Sequence, residues 1–85
     1  NKKIKTESAK IEFMFTQLFN TYYTHLKQKV SNSAFLEFLK DKNEEYHRNT
    51  PPKRKIIDFI AGMTDDFFNN QYKQLFVPQS FGYSL

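Results

Sequence analysis

The sequence predicts an all-α domain, a small bundle of three main helices, from three observations. First, 85 residues are enough for only one small domain. Second, apolar residues recur at helical spacing almost throughout, and no segment alternates as a strand does. Third, ten Phe and five Tyr give an aromatic fraction of 18%, whereas disordered chains are poor in aromatics. We expect a basic tail at 1–5, a helical domain at 6–78 and a C-terminal tail at 79–85.

The first helix is predicted over about 6–30. At 100° per residue its apolar side chains form a single arc: Ile11, Met14, Phe15, Leu18, Phe19, Tyr22, Leu26 and Val30. Thr6 or Ser8 is a suitable N-cap. Phe13 falls instead on the polar arc, where it is either a scattered surface aromatic or a contact to a partner.

The second helix is predicted over about 33–46. Ser31-Asn32-Ser33 interrupts the first helix and offers a new N-cap. One side of the second helix is apolar through Phe35, Leu36, Phe38, Leu39 and Tyr46. The residues from His47 to Thr50 are predicted as a loop.

The third helix is predicted over about 51–75. Thr50 would cap it and Pro51 would take the first helical position, where the missing N–H costs nothing. Pro78 follows its end. Apolar and small residues occupy more than one face of this helix. We therefore expect one face to pack on the core of the domain and another to contact a second surface.

Gly62 interrupts the third helix with a residue that disfavours a helix interior by about 0.5–1 kcal/mol relative to Ala. Beside Ala61 it serves either tight helix packing or a hinge or nucleotide-facing surface. Thr64 is also a possible N-cap, so a kink or break at 62–64 is the alternative to one continuous helix.

The net charge of +4 is concentrated in two stretches, residues 1–10 and residues 48–55. Lys53, Arg54 and Lys55 occupy the first turn of the third predicted helix, where cations oppose the helix dipole. Free N–H groups with cations beside them make this turn a candidate phosphate-binding site. The alternative is an ordinary solvated run of charge.

The residue types argue against catalysis by this chain alone. There is no Cys, and His25 and His47 lack helical neighbours that would complete a zinc site. Asp58 and Asp65 would lie about 10.5 Å apart along one helix, too far to share a metal ion. We therefore expect no catalytic residue, no metal ligand and no cofactor here. No apolar run is long enough to cross a bilayer, and the start has no export signal, so a cytoplasmic location is expected.

Residues 54–65 carry the most specific motif, Arg54-Lys55-Ile56-Ile57-Asp58-Phe59-Ile60-Ala61-Gly62-Met63-Thr64-Asp65. This string resembles the R-x-V/I-x-D-F/Y-I-A-G-M-T-D signature of the phosphohydrolase-associated region. That region follows the HD domain in bacterial deoxyguanosinetriphosphate triphosphohydrolase-like enzymes. Looser similarity extends over about 6–80, through Leu18-Phe19, Tyr22, Tyr72, Leu75-Phe76 and Pro78.

The resemblance implies a parent enzyme that hydrolyses a deoxynucleoside triphosphate, such as dGTP, to the deoxynucleoside and triphosphate. Its divalent metal, Mg²⁺, Mn²⁺ or similar, would be held by the preceding HD domain. The partners implied are that HD domain, further copies of the subunit and the nucleotide substrate. The signature positions would form a packing surface against the HD domain, bordering the nucleotide pocket: Arg54, Asp58, Ala61, Gly62, Met63, Thr64 and Asp65.

The other hypothesis is a free-standing helical module that binds nucleic acid or protein through its basic segments. Nucleic-acid binding driven by phosphate contacts would weaken steeply between about 50 and 200 mM salt. A docking domain would show no such affinity for oligonucleotides. We favour the accessory domain of an HD phosphohydrolase.

Overall fold

A computed structural model of the chain describes residues 2–77, with side chains from residue 8 onward. This part of the chain contains helices and no strand, which confirms the all-α prediction. The helices are α1 (Lys2–Gln28), α2 (Ala34–Lys40), α3 (Glu44–Asn49), α4 (Pro52–Ala61) and α5 (Asp65–Phe76). Pro78 and the predicted tail at 79–85 lie outside the described residues.

The first predicted helix corresponds to α1, which begins earlier than expected and ends two residues sooner. Lys29 leaves the helix with a left-handed φ of 52°, and the Val30 N–H donates to the His25 carbonyl at 3.2 Å. A left-handed residue just beyond the last turn is a common helix ending. Asn32 also has a positive φ, 61°, so the chain reverses direction within a few residues.

The second predicted helix is divided at residues 41–43 into α2 and α3. Ser33 caps α2 as expected, since its Oγ accepts from the Leu36 N–H. The break comes from Asn43, whose Oδ1 accepts from the Tyr46 N–H at 2.8 Å. That side-chain bond replaces the continuation of α2 with a new N-cap. The predicted loop from His47 to Thr50 was wrong, because α3 continues to Asn49.

The third predicted helix is divided at 62–64 into α4 and α5, the alternative that the sequence left open. Thr64 caps α5 by accepting from the Phe67 N–H at 3.1 Å. Gly62 therefore ends α4 instead of lying inside a helix. At the other end, α4 starts one residue later than predicted. Pro51 is the N-cap residue and supplies no side-chain hydrogen bond, and Pro52 takes the first helical position.

The aromatic core, defined by Tyr22, Phe35, Phe38 and Phe59, lies where α1, α2 and α4 meet. The Phe59 ring centroid is 5.2 Å from that of Tyr22 and 4.9 Å from that of Phe38. Such distances allow the edge-to-face and offset contacts that aromatic rings prefer. The other buried hydrophobic residues surround these rings: Leu18, Leu39, Ile56 and Ile60.

Helix α5 is joined to α1 partly through hydrogen bonds. The Tyr22 hydroxyl donates to Oε1 of Gln71 at 2.6 Å, and the Tyr72 hydroxyl donates to Oε1 of Gln17. Gln71 is buried and its amide nitrogen donates to Gln74. A buried amide is tolerated when its polar atoms have partners, as here. The long α1 thus supports both the aromatic core and α5.

None of the helices in the described part of the chain combines the length and apolar character that crossing a bilayer requires.

Candidate docking surface around the α4–α5 junction

Asp58, the acidic residue at the centre of the signature, joins α3 to α4. Its Oδ1 accepts from Nε of Arg54 at 2.9 Å, and its Oδ2 accepts from the Tyr46 hydroxyl at 2.8 Å. The Tyr46 hydrogen bond, followed by the contacts with Arg54, lowers the pKa of the Asp58 carboxyl. Burial and then the bond to Asp58 raise the pKa of Tyr46 to about 12. Asp58 therefore links α3 to α4 through Tyr46, while Arg54 pairs with it along α4.

The three predicted phosphate-binding cations occupy the first turn of α4, as expected, but they are not equivalent. Arg54 is paired with Asp58, and Nζ of Lys55 donates to the His47 carbonyl at 3.1 Å. Lys53 is exposed and makes no side-chain hydrogen bond or ion pair with the described residues. Of the three, Lys53 is the cation that an external anion reaches without breaking a bond inside the domain.

The second half of the signature forms the turn between α4 and α5 and lies at the surface. Ala61, Gly62, Thr64 and Asp65 are exposed, while Met63 is half-buried against the core. Asp65 lies in the first turn of α5, where a carboxylate is favourable near the positive end of the helix dipole. The turn therefore presents both small and charged groups to the outside.

Gly62 is not required by packing within the described residues. Its φ is −88°, which any residue adopts. A Cβ built there would lie 3.4 Å from the carbonyl oxygen of Asp58 and 3.8 Å from that of Phe59. These are ordinary van der Waals distances, so the tight helix packing considered for Gly62 is not found inside the domain. A larger side chain at this position would project outward.

Next to this turn, the first half of α1 and the length of α5 enclose an open hollow, which we call the α1–α5 groove. Its Met63 end has a volume of about 570 Å³. The lining residues there are Ile11, Met14, Met63, Asp65, Phe68 and Asn69. Its Val77 end has a volume of about 530 Å³ and shares Met14 and Asn69. The additional residues there are Lys10, Phe13, Tyr72, Lys73 and Val77.

Large hydrophobic side chains remain exposed along the groove. Phe13 is 60% exposed, Ile11 56% and Val77 45%. The outward position of Phe13 was predicted, but Ile11 was expected on the buried arc of α1 and is not buried. The buried residues of α1 are Leu18 and Tyr22, so the aromatic core covers only the later turns of the apolar arc. Ile57 on α4 and Phe67 on α5 are 41% and 37% exposed.

The two histidines make local hydrogen bonds. Nδ1 of His25 lies 2.8 Å from Oγ of Ser33, and Nε2 of His47 donates to the Leu39 carbonyl at 2.9 Å. Burial lowers the pKa of His25. Within residues 8–77 no group of three or more His, Asp or Glu side chains could hold a metal ion.

The structure thus places the second half of the signature, Ala61 to Asp65, around one turn. Asp58 lies within α4, and Arg54 lies in the basic first turn at the opposite end of that helix. The groove was not predicted, because a helical periodicity shows which side of a helix is apolar but not which part of it is covered. The outward Phe13 was the only sign of it in the sequence.

Comparison with known proteins identifies the family. A search of curated proteins and a search of solved structures gave no significant match. The family model described as the phosphohydrolase-associated domain matches residues 1–74. That range includes the signature, α1 and most of α5. The chain therefore belongs to the phosphohydrolase-associated domain family.

Proposed function

We propose that this chain is the accessory domain of an HD-type deoxynucleoside triphosphate triphosphohydrolase, which converts dGTP to deoxyguanosine and triphosphate. Membership of the family implies association with an HD phosphohydrolase; the dGTPase activity and the surface of contact are the proposal. The observation that carries it is the exposed turn from Ala61 to Asp65, beside the uncovered side chain of Ile11 and continuous with the groove that leads to Phe13.

The exposed apolar surface supports docking because soluble domains rarely leave large contiguous apolar patches uncovered without a partner. Met63 extends from the turn into the α1–α5 groove, so the turn and the groove form one continuous surface. A polar turn at the edge of an apolar centre is the usual arrangement of a protein interface. The partner proposed is the preceding HD domain, and further copies of the subunit would assemble around it.

Catalysis is assigned to the parent enzyme. The divalent metal bound by its HD domain, Mg²⁺ or Mn²⁺, would supply the activated water that attacks the α-phosphorus. The described residues of this chain provide no ligand group for such a metal. Their proposed contribution is to support the catalytic domain and to place Lys53 near the substrate phosphates.

The first experiment compares dGTP hydrolysis by the 85-residue chain and by the protein extended upstream through the HD domain, with Mg²⁺ or Mn²⁺. We expect deoxyguanosine and triphosphate from the extended protein only. If neither protein hydrolysed dGTP, the dGTPase proposal would be wrong. An oligonucleotide affinity that falls steeply between about 50 and 200 mM salt would then favour the nucleic-acid-binding module.

Gly62→Leu tests the docking surface in the extended protein. Because a Cβ fits at this position, Gly62→Ala is the matched control and should dock normally. The leucine side chain should impair association with the HD domain while helix content stays near that of the control. Equal loss of helix content and association would assign Gly62 to the internal structure alone.

Lys53→Glu tests the phosphate contact without disturbing the bonds made by Arg54 and Lys55. Arg48→Glu is the control, since it makes the same charge change at an exposed cation of α3. We expect Lys53→Glu to raise KM for dGTP and Arg48→Glu to leave it unchanged. The triple replacement of Lys53, Arg54 and Lys55 by Glu should also lower turnover. If KM and turnover were unchanged in all three variants, the first turn of α4 would have no contact with the substrate.

A further inference from the structure

The Val77 end of the α1–α5 groove combines apolar walls with positive charge. Phe13 and Val77, which are 60% and 45% exposed, stand on opposite sides of it, one on α1 and the other at the end of α5. Met14 forms part of the lining between them. The side chains of Lys10 and Lys73 also line this end, one from each helix.

The charges at this end favour an acidic partner. Lys10 forms no ion pair within residues 8–77, and none of those residues brings a carboxylate to the Val77 end. The acidic residue of the groove, Asp65, lies at the Met63 end. A purely apolar partner would desolvate the Lys10 ammonium without compensation, which is costly. An apolar segment that carries a carboxylate would cover Phe13 and pair with Lys10.

The walls favour a helical partner. Both are helices, whose backbone groups are already hydrogen-bonded, so an extended segment would find no strand edge to pair with. A helix satisfies its own backbone and needs only side-chain contacts. The twelve residues of α5 span about 18 Å at 1.5 Å per residue, enough to support a partner helix of about three turns.

We propose that the α1–α5 groove receives an amphipathic helix of the preceding HD domain, whose apolar side packs on Phe13 and Met14 and whose acidic residue faces Lys10. This assignment rests on the proposed docking of the HD domain. It adds the site of contact, the secondary structure of the partner and the sign of its charge.

The test is site-specific photocross-linking in the full-length protein, with a benzoylphenylalanine placed at one position at a time. The positions are Phe13 in the groove, Ala61 in the signature turn and Phe67, an exposed aromatic of α5 that does not line the groove. Cross-linked peptides are identified by mass spectrometry. We expect the Phe13 probe to label a helix of the HD domain that contains Asp or Glu, and the Phe67 probe to label it far less.

Other outcomes separate the proposed docking on the HD domain from the proposed use of the α1–α5 groove. Labelling of the HD domain from Ala61 but not from Phe13 would overturn the groove assignment and leave HD docking intact. Labelling of a second copy, or of a non-helical or basic segment, from Phe13 would also overturn the groove assignment. Labelling of the HD domain from none of the three positions would count against both.

A charge exchange tests the acidic residue itself. Lys10→Glu should reduce the Phe13 cross-link several-fold, whereas Arg48→Glu, on α3, should not change it. Replacing the labelled acidic residue of the HD domain by Lys should restore the cross-link in the Lys10→Glu protein. Failure of the second change to restore it would show that Lys10 does not face that residue.

Discussion

The aromatic core and the α1–α5 groove are built on the same helix by different means. In the core, α1 meets α2 and α4 through tilted and edge-to-face ring contacts, and Tyr22 and Phe35 are fully buried. Beside the groove, α1 meets α5 through the hydroxyls of Tyr22 and Tyr72, and Phe13 in the groove stays exposed. The core therefore accounts for most of the stability, while the groove retains apolar surface for association.

The largest expected effect is at the centre of the aromatic core. Phe35→Ala removes a fully buried ring that contacts Tyr22 and Phe59. A Phe→Ala change in a core costs about 3–5 kcal/mol, a large fraction of the stability of a small domain. We expect the cooperative urea transition, followed by circular dichroism, to be largely lost.

Phe13→Ala is the matched change in the groove. Because Phe13 is 60% exposed, its removal should change the free energy of unfolding by no more than about 0.5 kcal/mol. The same variant should weaken association with the HD domain. If both Phe→Ala changes destabilised the fold equally, the division between a stabilising core and an associating groove would be wrong.

Tyr22 lies in the aromatic core and also bonds to Gln71 of α5, and Tyr22→Phe should have the next largest effect on stability. The change keeps the ring in the core but leaves Oε1 of the buried Gln71 without its donor. An unsatisfied buried acceptor costs about 1–3 kcal/mol. Urea unfolding of Tyr22→Phe, Gln71→Leu and the double variant would measure the coupling. The double variant should recover part of the loss, and strictly additive losses would contradict the coupling.

Two of the N-caps and most of the core were predictable because their causes are local, whereas Thr6, Ser8 and Thr50 are not N-caps. Ser33 and Thr64 occupy N-cap positions that the residue type itself favours, and Tyr22 and Phe35 lie on apolar arcs. The break at Asn43 was missed because the apolar pattern continues to Tyr46 across it. The exposure of Ile11 could not be read from periodicity, since it depends on where α2 and α4 end against α1.

The buried Gln71 shows a different limit of the sequence. A glutamine in a helix is ordinarily assigned to the surface. It is buried here because the Tyr22 hydroxyl, 49 residues earlier, needs an acceptor. Likewise, the link from Asp58 to Tyr46 depends on how α3 folds back on α4. Such pairings come from tertiary structure, and no spacing in the sequence specifies them.

Thr64→Ala should have a smaller effect, at the start of α5. Thr64 is exposed, and its Oγ1 accepts from the Phe67 N–H, so the change removes an N-cap worth about 1 kcal/mol. Thr24→Ala is the control, because that hydroxyl only donates to the Asn20 carbonyl within α1. Amide exchange should quicken at the start of α5 in Thr64→Ala and not in Thr24→Ala. If amide exchange at the start of α5 quickened equally in both variants, the Thr64 cap would not be the cause of the break at 62–64.

The smallest expected effect is a pH dependence of stability that arises at His25, between the aromatic core and the start of α2. Burial lowers the pKa of His25 below its ordinary 6.5, and His25 lies beside Ser33, the N-cap of α2. The imidazole of His25 is therefore protonated more readily in the unfolded chain than in the folded chain. Stability should be complete above pH 6.5 and should decline as the pH falls from 6.5 toward the folded pKa.

Urea unfolding at pH 7 and pH 5 would measure this decline, and His25→Gln should reduce it by removing the titrating group. The Asp58 carboxyl also has a lowered pKa, but the loss of its contribution begins near pH 3.8, at a lower pH than the loss that begins near 6.5 for His25. The described part of the groove contains no histidine. Amide exchange should therefore quicken at the start of α2 between pH 7 and pH 5, beyond the intrinsic pH effect, and not in α5. A comparable change in α5 would mean that protonation of His25 reaches the groove through Tyr22, whose ring it contacts.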